Sequence, residues 1–294
     1  MGILKRLVAP CKINLHLRVF ERRADGFHDI ESVFQGISLG DELGVRTGAD
    51  SGLSDGECLV VSPRMELPPT NTLTRAVEEF RRETGISDGV RVDIEKLVPA
   101  GAGLGGGSSD AAALLRALDS LYGTGLAASR LAGMAARIGS DVPFFLAGGA
   151  CLVRGRGEII APIPARTDLW GVLAMPEVHC STAEAYGLFD RWQTSSGARG
   201  REWPDFDDLA GVYAGPVSRW TAFYNGFTDP IEARYPRIRE IREFLERSGA
   251  AFVSMTGSGS AVYALYSDPE GGKQVLAGLS AARVRCVEFL LLAS

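Results

Sequence analysis

Five glycines fall within seven residues, at Gly101, Gly103, Gly105, Gly106 and Gly107, and two serines, Ser108 and Ser109, close the run. A strand-like stretch precedes them and a strongly helical pattern follows. Glycine lets a backbone come close to a ligand, and the N–H groups at a helix start lack internal partners and carry the positive end of the helix dipole. Together these make a cradle for an anion, phosphate above all. A flexible turn capped by Ser108 or Ser109 is the plainer alternative, but it leaves so dense a run of costly glycines unexplained. The Walker pattern fails because no lysine follows the glycines. Gly101, Gly103 and Gly106 do satisfy G-x-G-x-x-G, which keeps a nicotinamide-dependent oxidoreductase in view. That fingerprint needs a βαβ frame, which is missing here, and an acidic residue that would have to fall near the next helix.

Other residues could join such a site. Lys12 and Asn14 share one face of the first strand. Asp141 stands in the break Gly139-Ser140-Asp141-Val142-Pro143, where a carboxylate is partly desolvated and suited to act as a base. By residue type alone, a strand lysine is usually solvated, and an aspartate ahead of a proline usually turns the chain. Phe27 and His28 follow an Asp25-Gly26 turn. An aromatic face beside an imidazole suits a nucleobase, and equally a core phenylalanine next to a surface histidine. Thr182 and Tyr186 lie on one helix side, although Ser181-Thr182-Ala183-Glu184 also reads as a capping box. Gly257 and Gly259 either bring a second backbone edge to the ligand or form a plain hairpin.

The elements that must hold these residues are legible from periodicity. Ile13, Leu15, Leu17 and Val19 alternate with polar residues, giving a half-buried strand whose polar face carries Lys12 and Asn14. Strands are expected within Asp29–Val45, punctuated at Gly40-Asp41, and at Val90–Ile94. Helices are expected over Thr74–Arg82, Asp110–Tyr122 (stopped by Gly123) and Ala128–Ile138. An apolar strand is expected at Phe144–Leu146, and further strands at Trp170–Met175, Ala251–Ser254 and Ala261–Tyr266. A single helix is expected over Ile231–Ser248. Thr194–Gly215 reads as a long, poorly ordered loop. Composition shifts near Pro162–Pro164. Strands and helices mix without strict βαβ alternation, which points to the α+β class.

The 294 residues carry a net charge of −5 with scattered basic residues, which argues against a nucleic-acid partner. Five cysteines, far apart and without a CxxC pair, argue against a zinc site or a disulfide framework and fit a reducing cytoplasm. The start of the chain lacks a signal-peptide core, and the apolar run Phe289–Ala293 is too short to span a membrane. The expectation is a cytoplasmic protein acting on a small molecule, as a monomer or weak homodimer.

The stretch Pro99-Ala100-Gly101-Ala102-Gly103-Leu104-Gly105-Gly106-Gly107-Ser108-Ser109-Asp110-Ala111-Ala112 resembles the phosphate-binding motif of the GHMP kinase superfamily. Ala9-Pro10-Cys11-Lys12-Ile13-Asn14-Leu15 resembles its N-terminal motif, and Thr256-Gly257-Ser258-Gly259-Ser260-Ala261 its C-terminal glycine motif. Three motifs in order are far more specific than one. Within the superfamily, Arg23-Ala24-Asp25-Gly26-Phe27-His28, the Gly139–Pro143 break, and Asn71-Thr72-Leu73 with Lys96 resemble the family of 4-diphosphocytidyl-2-C-methyl-D-erythritol kinases.

The resemblance implies a two-domain α+β GHMP kinase fold. Residues 1–163 would form an ATP-binding domain like domain 2 of ribosomal protein S5, and residues 164–294 a ferredoxin-like domain. It implies ATP-dependent phosphorylation of the 2-hydroxyl of a cytidine-diphosphate-linked methylerythritol, in non-mevalonate isoprenoid precursor biosynthesis. Homoserine and mevalonate are the rival alcohols within the superfamily. Lys12 and Asp141 would be catalytic. Asn71, Lys96, Pro99, Gly101, Gly103, Leu104, Gly105, Gly106, Gly107, Ser108 and Ser109 would bind ATP. Asn14, Phe27, His28, Asp141, Thr182, Tyr186, Gly257 and Gly259 would bind the alcohol, Phe27 and Tyr186 as stacking faces. Mg2+ is expected with the ATP, its protein ligands unassigned. Two departures stand out: Cys11 where alanine or glycine is usual, and Asn225-Gly226 where Asn-Asp is common.

Overall fold

The computed structural model describes residues 4–195 and 203–293. In chain order the first elements are β1 (Lys5–Arg22), β2 (His28–Thr47), β3 (Cys58–Val61), α1 (Thr72–Thr84), β4 (Val90–Glu95), α2 (Gly106–Tyr122), α3 (Ala128–Ile138) and α4 (Val142–Ala147). Then come β5 (Ala150–Arg154), β6 (Ile159–Ile163), β7 (Trp170–Met175), α5 (Thr182–Thr194), α6 (Leu209–Ala214), α7 (Thr228–Arg234) and α8 (Pro236–Glu246). The last are β8 (Phe252–Met255), β9 (Val262–Tyr266), α9 (Pro269–Ala281) and β10 (Arg285–Leu290). By contact the chain divides into two compact units. One comprises residues 1–11, 39–100 and 105–147, the other 12–38, 101–104 and 148–294.

In the first unit, residues 42–47 of β2 pair antiparallel with β4, and β3 lies parallel to β4. Strand residues Val45, Val92 and Ile94 share one core with Phe80 of α1, Leu114 and Leu118 of α2, and Met134 and Ile138 of α3. Leu114 and Leu118, four apart on α2, thus turn one helix face into this core. Gly40 does not punctuate β2. It lies inside the strand, where a Cβ would stand 2.5 Å from the Ala9 carbonyl oxygen, so it marks a close backbone approach and not a turn.

In the second unit, β10-β7-β9-β8 form an antiparallel sheet, and residues 32–35 of β2 pair antiparallel with β5. Trp220 is fully buried, stacked on Tyr213 and edge-on to Phe252.

Three local expectations change. Phe144–Leu146 belongs to helix α4, because Pro143 sits in a first turn, where no N–H is required. Ile231–Ser248 is two helices, broken at Tyr235 where Pro236 opens α8. Of the expected loop Thr194–Gly215, residues 196–202 lie outside the described residues, while Leu209–Ala214 forms α6 and buries Leu209, Val212 and Tyr213.

Candidate active site

Strand β1 carries the first cluster. Its alternation predicts a wet polar face, but Lys12, Asn14 and His16 are as buried as Ile13 and Leu15, with Lys12 only 3% exposed. A buried ammonium needs acceptors, and Lys12 Nζ donates to Asn14 Oδ1 at 2.6 Å and to the Gly103 carbonyl at 2.9 Å. It also lies 4.7 Å from the centre of the Phe34 ring. Asn14 Oδ1 accepts a further bond from Gly257 N at 2.8 Å, and its amide donates to Ser32 Oγ at 3.0 Å. The Thr256 hydroxyl completes the group, 3.2 Å from the Gly103 oxygen. Asn14 is thus a hub joining the lysine to the C-terminal glycine motif.

The two glycine motifs meet here backbone to backbone. Gly103 has φ +77°, and a Cβ on it would lie 2.1 Å from the Thr256 oxygen. Gly257 has φ +56°, and its Cβ would lie 2.8 Å from Gly103 Cα. No side chain fits at either position. Asn225 holds this arrangement from behind. Its amide donates to the carbonyls of Met255 and Gly257, both at 2.8 Å, and its oxygen accepts from Phe227 N at 3.0 Å. Sequence reasoning left Asn225 without a role; only the fold shows which two carbonyls it bridges. Its neighbour Gly226, the family departure, leaves ordinary space for a Cβ near the Leu17 oxygen and Trp203.

The other half of the glycine run belongs to the first unit. Gly105, at φ +71°, is the N-cap of α2. The expected serine cap is absent, because Ser108 and Ser109 already lie in the first turn. The Ser109 hydroxyl is buried and donates to the Pro10 carbonyl at 2.6 Å. Asn71 caps α1, receiving Leu73 N and Thr74 N. Thr72 Oγ1 lies 3.3 Å from where a Gly107 Cβ would be, so the starts of α1 and α2 adjoin, and α2, which has no side-chain cap, is the one suited to an anion.

Below the α2 start lies a charged cluster that the sequence did not announce. Lys96 Nζ contacts Asp41, and Asp110 at 2.8 Å. Asp41 also receives the N–H groups of Leu97 and Val98, at 2.6 and 2.8 Å. One ammonium thus serves two carboxylates. Burial pushes the Asp110 carboxyl up to about 7, with Lys96 opposing and Asp41 adding to the rise. Burial would lower Lys96, but its two carboxylate neighbours outweigh it and hold its pKa up.

Asp141 sits between α3 and α4, half-buried, where the Gly139 carbonyl accepts from Val142 N at 3.2 Å. It belongs to the first unit and Lys12 to the second.

The remaining residues lie in the second unit. His28 is buried, and its Nε2 lies 2.7 Å from Asp190 Oδ1. Tyr186 stacks on the imidazole at 4.6 Å. Phe27 is exposed, with the Arg156 guanidinium 4.8 Å from its ring centre. Thr182 opens α5, its hydroxyl 3.4 Å from Ser258 Oγ. Half of the expected capping box forms: Ser181 receives Glu184 N, while Glu184 itself accepts from the Tyr235 hydroxyl. Gly259, at φ +85°, lies against Met255, 3.0 Å from Cβ position to sulfur.

Two family descriptions match the chain, GHMP kinases N terminal domain over residues 71–149 and GHMP kinases C terminal over residues 217–284. The chain is 46% identical over 269 residues to a 4-diphosphocytidyl-2-C-methyl-D-erythritol kinase of Treponema pallidum (strain Nichols), covering 90% of each chain. It is 37% identical over 277 residues to the kinase of that name from Gloeobacter violaceus, covering 94% of this chain and 90% of the relative. A crystal structure of a 4-(cytidine 5'-diphospho)-2C-methyl-D-erythritol kinase superposes with a TM-score of 0.79 at 31% identity, covering 99% and 100% of the two chains. A homoserine kinase from Cytophaga hutchinsonii shares the fold, with a TM-score of 0.72 at 18% identity, covering 100% of this chain and 96% of that one.

Proposed function

This chain belongs to the GHMP kinase family, and from that premise we propose that it transfers the γ-phosphoryl group of ATP to the 2-hydroxyl of 4-diphosphocytidyl-2-C-methyl-D-erythritol. The observation that carries the reading is likeness to kinases of that name along nearly the whole chain, joined to a buried lysine fixed against a glycine cradle.

In this proposal Asp141 takes the hydroxyl proton, the oxygen forms its bond to the γ-phosphorus, and the bond to the β,γ-bridging oxygen breaks to release ADP. Lys12 offsets the charge on the transferring group. The glycine run and the start of α2 hold the phosphates, with Asn71 and Lys96 on the adenine side. Phe27, His28 and Tyr186 read the cytosine, and Thr182, Gly257 and Gly259 line the alcohol. Asn14 orients Lys12 as well as the alcohol. Mg2+ entering with ATP needs few protein ligands and neutralises phosphate charge. Among the described residues no group of three or more His, Cys, Asp or Glu is placed to hold a metal. No helix among the described residues is long and apolar enough to cross a membrane, and a cytoplasmic monomer or weak homodimer completes the proposal.

The test is ADP release with Mg2+ and ATP, comparing 4-diphosphocytidyl-2-C-methyl-D-erythritol with homoserine, mevalonate and galactose. Turnover of the cytidyl alcohol alone is expected. Turnover of another alcohol in its place would remove the substrate assignment, and loss of activity in EDTA, restored by Mg2+, checks the ion.

A further inference from the structure

Helix α5 brings three side chains to one imidazole. Tyr186 lies face to face with His28, ring centres 4.6 Å apart and planes 24° apart. Phe189 meets its edge at 6.1 Å, and both aromatic rings rest on buried Phe227. Asp190 places Oδ1 2.7 Å from Nε2. Positions 186, 189 and 190 are neighbours on one helix face, so a single element fixes the plane, the tilt and one nitrogen of a ring that is 6% exposed.

A carboxylate can only accept, so Nε2 carries the hydrogen and donates it to Asp190. In a neutral imidazole the other nitrogen then holds a lone pair. We infer that Asp190 is a positioning residue that locks His28 as the Nε2–H tautomer, so that Nδ1 presents an acceptor and selects a pyrimidine bearing an exocyclic amino group over one bearing a carbonyl there. Cytosine offers N–H at that position, and uracil offers oxygen. Two acceptors facing each other leave a buried polar atom unpaired, which is the stronger kind of discrimination a site can make. The inference rests on the reading of His28 as the base-contacting residue and adds how its chemistry is set.

The experiment compares kcat/KM for the cytidyl substrate and its uridyl counterpart in the wild type, His28→Ala and Asp190→Asn. Asparagine can turn its NH2 toward Nε2 and so permit the opposite tautomer. The wild type is expected to favour the cytidyl form, and Asp190→Asn to lower that ratio by about 10- to 100-fold. Equal loss on both substrates, the mark of a merely structural contact, or an unchanged ratio in Asp190→Asn overturns the tautomer lock alone. Discrimination that survives in His28→Ala, or a wild type that turns over neither substrate, overturns the base-reading assignment together with it. Should Asp190→Asn not fold, 15N NMR of histidine-labelled wild type decides, with the His28 signal assigned by its loss in His28→Ala. A neutral ring protonated at Nε2 is expected, and a ring protonated at Nδ1 or at both nitrogens overturns the inference.

Discussion

Removing the Lys12 ammonium takes a donor from two acceptors at once, Asn14 Oδ1 and the Gly103 carbonyl. Lys12→Ala should therefore lower the melting temperature as well as turnover. Asp141→Asn keeps shape and volume at a half-buried helix start, so the same measurements should separate the two residues. ATP affinity by calorimetry should stay within a fewfold while kcat falls by about 10^2–10^4; retained turnover would take Asp141 out of the mechanism. Two other residues set opposite pH slopes. Burial, helped by Arg18, lowers His16 to about 4 from 6.5. Its neutral form is thus the folded one, and about 3 kcal/mol of stability present above pH 6.5 is lost as pH falls toward 4. Asp110 is raised to about 7 from 3.8. Its contribution is complete below pH 3.8 and lost as pH rises through 7. Melting curves from pH 4 to 8 should show His16→Asn flattening the acid limb and Asp110→Asn flattening the slope toward neutrality. The sequence marked Lys12 and Asn14 as a polar face but could not show them buried, since a period of two says nothing about what covers each face. It could not pair Asp41 with Asp110 at all, because that contact exists only once β2 and α2 share a core.

At the scale of elements, loops and caps carry the risk. Asn225→Ala strips a donor from two carbonyls beside the C-terminal glycine motif. A loss of about 2–3 kcal/mol in denaturant unfolding is expected, with turnover falling as Gly257 shifts. Asn71 separates capping from ligand contact. Asn71→Asp keeps the oxygen that receives Leu73 N and Thr74 N, whereas Asn71→Ala costs about 1 kcal/mol as a lost cap. The amide NH2 donates to the Pro68 carbonyl at 2.9 Å, so Asn71→Asp should lose some stability, and if that NH2 also contacts adenine, KM for ATP rises as well. An unchanged KM confines Asn71 to its cap. Of the helices with clean periodicity, α3 was legible in the sequence to the residue, whereas α2 begins at Gly106, a turn before the expected Asp110. The failures were local. The three apolar residues Phe144–Leu146 after Pro143 read as strand and as helix alike. The serines looked like caps because Gly105, which has no side chain to signal the role, takes the N-cap.

For the whole molecule, the three glycine and lysine motifs gave the family from sequence, while the interleaving of the chain did not show in it. A cut at 163/164 would leave residues 164–294 without residues 12–38, which belong to the same compact unit. That unit is tied together by Tyr263 donating to the Asn14 carbonyl at 2.8 Å, Tyr213 to Gln35 at 2.5 Å, Gln35 to the Leu292 carbonyl at 2.9 Å, and His28 to Asp190 at 2.7 Å. Tyr263 and Tyr213 are buried, and stripping their acceptors leaves each hydroxyl hydrogen without its bond in a dry core. A 164–294 fragment should therefore lack a cooperative unfolding transition by circular dichroism and show collapsed amide dispersion by NMR. Joining residues 12–38 to 148–294 through a flexible linker should restore both. A 164–294 fragment that folds alone would instead make the boundary read from Pro162–Pro164 a true domain edge, and the strands of residues 12–38 an addition to a finished core.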